Sequence, residues 1–297
     1  MIVNFGSLNI DYVYAMDHFI RPGETYTADR LQIHPGGKGL NQSIAVARAG
    51  GSVRHVGCIG REGQFLKSLL DDEKIDTSGI LTLDGSNGHA IIQVDKKGEN
   101  CIILYSGANR SQPDGFVKEQ AARLTGDEIV LFQNETDGIA EMMRLVKQKG
   151  CRIALNPAPM DDRIPAFPLE QVDYLIVNEG EGAALAGFVP SQDQTGFAQL
   201  LKALASRFPQ AHIILTLGPL GLMYAWKEQV LTIPAYDAGP VVDTTAAGDT
   251  LIGTYLALID EGKDDATALT LATRAAGVTV TKAGAASSIP CRDEYIG

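Results

Sequence analysis

At 297 residues, 45% of them apolar, the chain can bury a sizeable core, which excludes an intrinsically disordered protein. A net charge of −11, from 25 basic and 36 acidic residues with no Lys/Arg cluster, argues against a nucleic-acid or membrane-surface partner. An anionic ligand would then have to be held by backbone dipoles, a lysine or a metal.

The four cysteines (Cys58, Cys101, Cys151 and Cys291) have no CxxC spacing, and three of them sit among apolar or β-branched neighbours, as reduced core thiols do. Asn4, Asp11 and Asp17 interrupt any signal peptide, and no apolar run is long enough to span a membrane. A cytoplasmic location is expected.

The first predicted strand is 2–5, ending at Gly6. GSLNID comes next, with Asn9 and Asp11 two apart and therefore on one face of an extended segment. An amide and a carboxylate on one face suit a polyol, although both residues are also ordinary in turns. Residues 11–35 alternate like half-exposed strands with no helix between them. HPGGKGLNQ then opens a helix over 39–50, where Gly36, Gly37 and Gly39 permit close backbone approach and Lys38 adds charge at the helix start. The spacing is not a P-loop. A strand over 53–59 leads into VGCIGREG, which lacks GxGxxG. Residues 89–106 form a hairpin pattern around Lys97–Gly98. With 11–35 they predict a small separate antiparallel sheet, which fits either a lid over strand ends or a decorated edge.

Beyond residue 110 the chain alternates regularly. Helices are predicted near 115–124, 138–149, 179–187 and 194–208, and strands over 127–133, 151–156, 172–178 and 212–218. This rhythm implies a mostly parallel sheet covered on both faces, with ligands at the carboxyl ends of the strands. Polar or glycine residues stand at one strand end after another: Gln133-Asn134-Glu135, Asn178 with Glu181, and TLGPLG at 216–221. Finally, VVDTTAAGDTLIGTYLALID at 241–260 runs from extended residues through Ala246, Ala247 and Gly248 into an apolar helix. Asp249 stands at the junction, where helix N–H groups favour negative charge.

GGKGLNQ and DTTAAGDT, together with GSLNID, the glutamate after LFQN, VNEGE, TLGPLG and GAASSIP in order, resemble the ribokinase-like (PfkB) carbohydrate kinase family over nearly the whole chain. The resemblance implies that residues 1–297 form one α/β sugar kinase domain. It would have the family's three-layer fold, with a mostly parallel central sheet covered by helices and a small antiparallel β lid from about 11–35 and 89–106. It implies Asp249 as catalytic base beside an anion hole of Ala246, Ala247, Gly248 and the Asp249 backbone. Asn9, Asp11, Gly37, Lys38, Gly39, Asn41 and Glu135 match sugar-contacting positions. Asn178, Thr216, Gly218, Gly221, Gly248 and Thr273 match nucleotide-contacting ones. Glu181 matches the acid that organises Mg2+ through water, and Asp243, Thr245, Thr279, Lys282, Gly284 and Ser288 match a site for K+.

The activity implied by this resemblance is ATP-dependent phosphorylation of a primary hydroxyl of a free sugar, ribose first. Fructose, deoxyribose, a sugar acid or a nucleoside are alternatives within the class, and a non-catalytic sugar sensor is the alternative outside it. A homodimer through the lid is also implied. The chain departs from the family in its short 60–70 segment, where Glu62 stands in place of the usual aspartate, in Ala246 where glycine is frequent, and in Thr273 where a histidine is found in some members.

Overall fold

A computed structural model describes residues 1–296. The chain runs β1 (Ile2–Phe5), β2 (Asn9–Ala15), β3 (Arg30–Gly36), α1 (Lys38–Arg48), β4 (Val53–Gly60), α2 (Gln64–Asp72), β5 (Asp76–Leu83), β6 (Gly88–Val94) and β7 (Asn100–Tyr105). It continues through α3 (Phe116–Ala122), β8 (Ile129–Gln133), α4 (Ile139–Gln148), β9 (Arg152–Asn156), β10 (Tyr174–Asn178), α5 (Glu179–Ala186), α6 (Gln194–Arg207), β11 (His212–Thr216), β12 (Leu222–Trp226), β13 (Gln229–Ile233), α7 (Ala247–Asp260) and α8 (Asp265–Thr279).

Nine strands form the main sheet in the order β13-β12-β11-β10-β9-β8-β1-β4-β5. All pairings from β11 to β5 are parallel, and β12 and β13 add an antiparallel edge. Successive residues of one strand feed opposite cores: Ile129 and Leu131 of β8 pack with α1, α2, α7 and α8, whereas Val130 and Phe132 pack with α3 to α6. Buried on both faces, the central strands are mainly apolar, interrupted by Asn4 in β1 and by Arg54 and His55 in β4. The helices carry explicit stops and starts. Asp193 accepts from the Gly196 amide at the head of α6, Asp264 from the Thr267 amide at the head of α8, and Gly150 takes a φ of 85° just past α4.

The order of strands reverses between β1 and β8: from β1 the chain fills one side with β4 and β5, then crosses to β8. Ligands collect outside the carboxyl ends at such a point.

The two irregular stretches pair into a second sheet of order β3-β2-β6-β7. Its outer pairings are antiparallel, and the central one, β2 with β6, is parallel. Sequence alternation alone did not show that central pairing. One expectation is corrected. Cys58 and Cys151 are buried, whereas Cys101 and Cys291 are exposed, so two cysteines rather than three are core thiols. Cys101 lies on β7, an edge strand whose six residues are all exposed although five of them are apolar. The 60–70 segment is ordered, forming a single 3-10 turn and α2. Among the described residues no helix is long and apolar enough to cross a membrane.

Candidate active site

Helix α7 begins abruptly. Ala246 adopts φ 63°, ψ 4°, and no side chain caps the helix behind it. A residue with a Cβ pays about 1–2 kcal/mol for that left-handed backbone. Ala247 N donates to Thr244 O at 3.3 Å and Thr250 N to Ala246 O at 2.8 Å. The intervening amides belong to a helix's unpaired first turn. Nothing lies within 4 Å of where a Cβ on Gly248 would stand, so the backbone there is open to an approaching group.

Asp249 follows directly, 8% exposed. Its Oδ2 accepts from Asn41 Nδ2 at 3.0 Å and its Oδ1 from Gln42 Nε2 at 2.8 Å. Both donors come from α1. The head of α1 lies so close to β1 that a Cβ on Gly39 would come within 2.3 Å of Ser7 N, and Gly37 takes φ 94°. Glycine is required at both positions.

Glu135, just past β8, accepts from the Lys38 amide at 3.1 Å and from the Ser7 hydroxyl. Burial raises its pKa, while Lys38 pulls it back. The Lys38 ammonium is held above its usual value by Asp249 first, against burial, with help from Glu135 and Glu181. Asp11 on β2 is raised to about 6, by burial and then by the charge of Glu135. It packs against Gly36, where a Cβ would come within 2.1 Å of Oδ2. Asn9 accepts from Asn109 Nδ2 at 2.7 Å. Its own amide NH2 makes no hydrogen bond among the described residues. Asn41 Oδ1 is buried without a hydrogen-bond partner among the described residues, an acceptor awaiting a donor.

A cavity of about 230 Å3 opens beside these groups, lined by Lys38, Asn156, Asn178, Glu181, Thr216, Thr244, Ala246, Gly248 and Asp249. Asn178 and Glu181 form a reciprocal capping box at the head of α5. Burial raises the Glu181 carboxyl, opposed first by the Asn178 amide. Both of its oxygens are engaged by Asn178, at 3.0 Å each, so a divalent cation here fits through water rather than by direct ligation. Gly218 and Gly221 form the turn after β11 with φ 52° and 95°, and a Cβ on Gly221 would collide with Ile233 O at 2.1 Å. Thr273 is buried, its hydroxyl donating to Leu269 O within α8. Gly218, Gly221 and Thr273 are not among the residues lining the cavity.

Behind the α7 head, two loops meet at Asp243. Its Oδ1 accepts from Thr245 N and Oγ1 at 2.9 and 2.6 Å, and its Oδ2 from Gly284 N at 3.0 Å. Burial raises this carboxyl, and those donors outweigh it, holding the pKa below its usual value. The Thr279 hydroxyl lies 3.0 Å from that of Thr250 on α7. Ser288 donates to Ala285 O, and Lys282 pairs with Glu294.

Sequence reading missed the buried polar residues behind the site: Asn4, Gln42, Ser43, His55 and Asn109, each at most 1% exposed. The signal was present as an asparagine within the apolar IVNF and a histidine within VRHVGCIG. Glu62, the departure from the family aspartate, accepts from Asn87 N at 2.8 Å at the root of the second sheet.

The chain matches the pfkB family carbohydrate kinase profile over residues 1–292. It is 36% identical over 302 residues to a ribokinase of Haemophilus influenzae, covering 98% of this chain and 95% of that one. The crystal structure of a Cryptococcus neoformans ribokinase in complex with ADP superposes with TM-score 0.85 at 32% identity, covering 99% of this chain and 98% of that one. An Arabidopsis thaliana ribokinase complexed with ribose and ATP gives TM-score 0.88 at 28% identity, covering 99% of this chain and 97% of that one.

Proposed function

We infer substrate and mechanism from one premise: the chain belongs to the pfkB family of carbohydrate kinases, with the ribokinase-like α/β fold. The reading proposed is ATP-dependent phosphorylation of the primary hydroxyl of D-ribose, giving ribose 5-phosphate. The relatives named ribokinase support that choice of sugar. The observation that carries it is the convergence of Asp249, the uncapped head of α7, Lys38 and Glu181 on one cavity.

Asn9, Asp11, Asn41 and Glu135 hold the sugar. Asn9 supplies a donor, while the two carboxylates and the orphaned Asn41 Oδ1 supply acceptors. The primary hydroxyl then faces Asp249, which accepts its proton as the oxygen attacks the γ-phosphorus. The amides of Ala247–Asp249 and the Lys38 ammonium stabilise the transferring phosphoryl oxygens. Asn178 and the turn from Thr216 to Gly221 hold the nucleotide, with Thr273 behind it. Glu181 would orient a magnesium ion through water, and the ion would supply charge neutralisation to the phosphates. Potassium would be held by Asp243, Thr245, Thr279, Lys282, Gly284 and Ser288, chiefly through carbonyl oxygens.

Residues 1–297 act as one catalytic domain in this reading, and the second sheet is a lid that excludes water. Its outer strands expose Leu31, Ile33, Ile102, Ile103, Leu104 and Tyr105, which supports a homodimer through paired lids. Use of ATP as the phosphoryl donor fits a cytoplasmic enzyme.

A coupled ADP-release screen over ribose, deoxyribose, fructose, sugar acids and nucleosides tests the reading. Ribose should give the highest kcat/KM, and Asp249→Asn should lower kcat about 10³-fold with little change in sugar affinity. ATP binding without turnover on any acceptor would make the protein a sensor instead.

A further inference from the structure

Asp249 is gripped from behind by a chain of buried side chains. Gln42 donates to Asp249 Oδ1 over 2.8 Å, and its own Oε1 accepts from Gln133 Nε2 at 2.7 Å. Gln133 Nε2 also donates to Asn4 Oδ1 at 2.9 Å. Asn4 Nδ2 donates to Gly39 O at 2.7 Å and to Ser43 Oγ at 2.8 Å. Ser43 Oγ lies 2.8 Å from His55 Nδ1, and His55 Nε2 lies 3.2 Å from Gly6 O. Asn4, Gln42, Ser43, His55 and Gln133 are all 0% exposed.

The direction of every bond is fixed by two backbone carbonyls, which only accept. Gly39 O requires the NH2 of Asn4, so Asn4 Oδ1 faces Gln133 and must be met by a donor. Gln133 therefore presents its NH2, and the same group reaches Gln42 Oε1. Gln42 is left with its NH2 towards Asp249. At the far end Gly6 O requires the proton on His55 Nε2. Burial pushes that imidazole down to about 4, so the ring is neutral and Nδ1 accepts the Ser43 hydroxyl. Gln42 is anchored a second time: its Nε2 is 3.5 Å from Asn156 Oδ1, and Asn156 Nδ2 is bound to Ile176 O at 3.1 Å. The arrangement leaves Gln133 Oε1 without a hydrogen-bond partner among the described residues. Turning that amide over would instead set oxygen against oxygen at both Asn4 and Gln42.

We propose that Gln42 is a positioning residue for phosphoryl transfer: backed by Gln133 and Asn4, it holds Asp249 Oδ1 with an N–H of fixed direction, so that the carboxylate faces the acceptor hydroxyl. This rests on Asp249 being the base. Gln42 touches neither substrate. It acts by removing the carboxylate's freedom to rotate, and errors of about 1 Å in such placement cost about 10²-fold in rate.

Steady-state kinetics with ATP and ribose on the wild type, Asp249→Asn, Gln42→Met, Gln133→Met and the double Met variant test the proposal. Methionine keeps the length and removes the donors. Gln42→Met should lower kcat about 10- to 100-fold with both KM values within about threefold. Gln133→Met should lower kcat about 3- to 10-fold, because Gln42 then loses its fixed direction. The double variant should match Gln42→Met within about twofold, since both act through one bond. Losses that multiply, an unchanged kcat in Gln42→Met, or a loss confined to KM overturns the relay. A Gln42→Met protein that does not fold leaves Gln133→Met to decide, and unchanged kcat there overturns it too. Failure of the functional reading is distinct: it appears as an inactive wild type or an active Asp249→Asn.

Discussion

Lys38 is joined to Glu135 through its backbone, the amide donating over 3.1 Å to Oε2, whereas its ammonium responds most strongly to Asp249. One residue thus serves two sides of the cleft. The backbone is bonded to Glu135, on the side proposed for the sugar, and Lys38 lines the cavity with Asn178 and Glu181. Sequence reading assigned Lys38 to the sugar. Lys38→Met should therefore lower kcat about 10²- to 10³-fold, as loss of one preorganised charge at a developing oxyanion does, with sugar KM within a few-fold. Kinetics with both substrates varied decide it: a raised sugar KM with kcat kept would put the ammonium on the sugar.

Asp11 gives sugar capture a pH dependence. Raised from 3.8 to about 6, the carboxyl of the free enzyme holds a proton below that pH and then offers a sugar hydroxyl only a weaker, neutral acceptor. The kcat/KM for sugar should level off above about pH 6 and fall below it, approaching tenfold per unit. Glu135, itself raised by burial, is the neighbouring charge that lifts Asp11 further. Stability of the free protein runs the opposite way. The unfolded chain releases this proton near 3.8, so the contribution of Asp11 is present below that pH and lost as pH rises through about 6. Asp11→Asn should weaken sugar binding and flatten both profiles. A kcat/KM profile with the same fall below pH 6 in Asp11→Asn would assign it elsewhere.

Ala246 stands where the family often has glycine, and its φ of 63° says why glycine is frequent. Ala246→Gly relieves about 1–2 kcal/mol of backbone strain and gives back about 0.4–1 kcal/mol through the freer unfolded chain. Unfolding in urea should show a gain between zero and about 1.6 kcal/mol, with kcat within a few-fold. Ala246→Val should lose both stability and kcat, because a β-branched residue resists this backbone and would turn the α7 amides away. Equal kcat in the valine variant would mean that those amides do not contact the phosphoryl group.

The parts of this site legible in the sequence were those written locally. A parallel α/β rhythm puts all strand carboxyl ends on one edge, so Asn9, Glu135, Asn178 and Asp249 could be gathered without knowing any contact. Glycines in GGKG advertise a close approach because no other residue tolerates it. The support behind the site was not legible, since Gln42 meets Gln133 and Asp249 across 91 and 207 residues. The antiparallel edge of β12 and β13 was also missed, because its apolar residues follow β11 with no helix to break the run. Cys101 differs from a core thiol for a related reason: its neighbours in CIILY are apolar, yet β7 is an exposed edge of the small sheet.

The junction at Asp243 predicts activation by potassium. Asp243 ties the loop before α7 to the loop that starts at Gly284, and its carboxylate already accepts from Thr245 and Gly284. The Val242 and Asp243 amides meanwhile share Val280 O. A monovalent cation between these loops would find several carbonyl oxygens and a single carboxylate, which matches its need for many weak ligands and little net charge. It would not reach the substrates. Its effect would pass through the segment from Asp243 to Ala246, whose left-handed bend aims the α7 amides, so it should appear in kcat rather than in either KM. Assays in tetramethylammonium salts, with potassium titrated against sodium at constant ionic strength, should show a rise in kcat that favours potassium. Asp243→Ala should abolish the rise and lower basal kcat, because the two loops then separate. Equal rates in all salts, or an Asp243→Ala enzyme that keeps the potassium response, would remove the site from this junction.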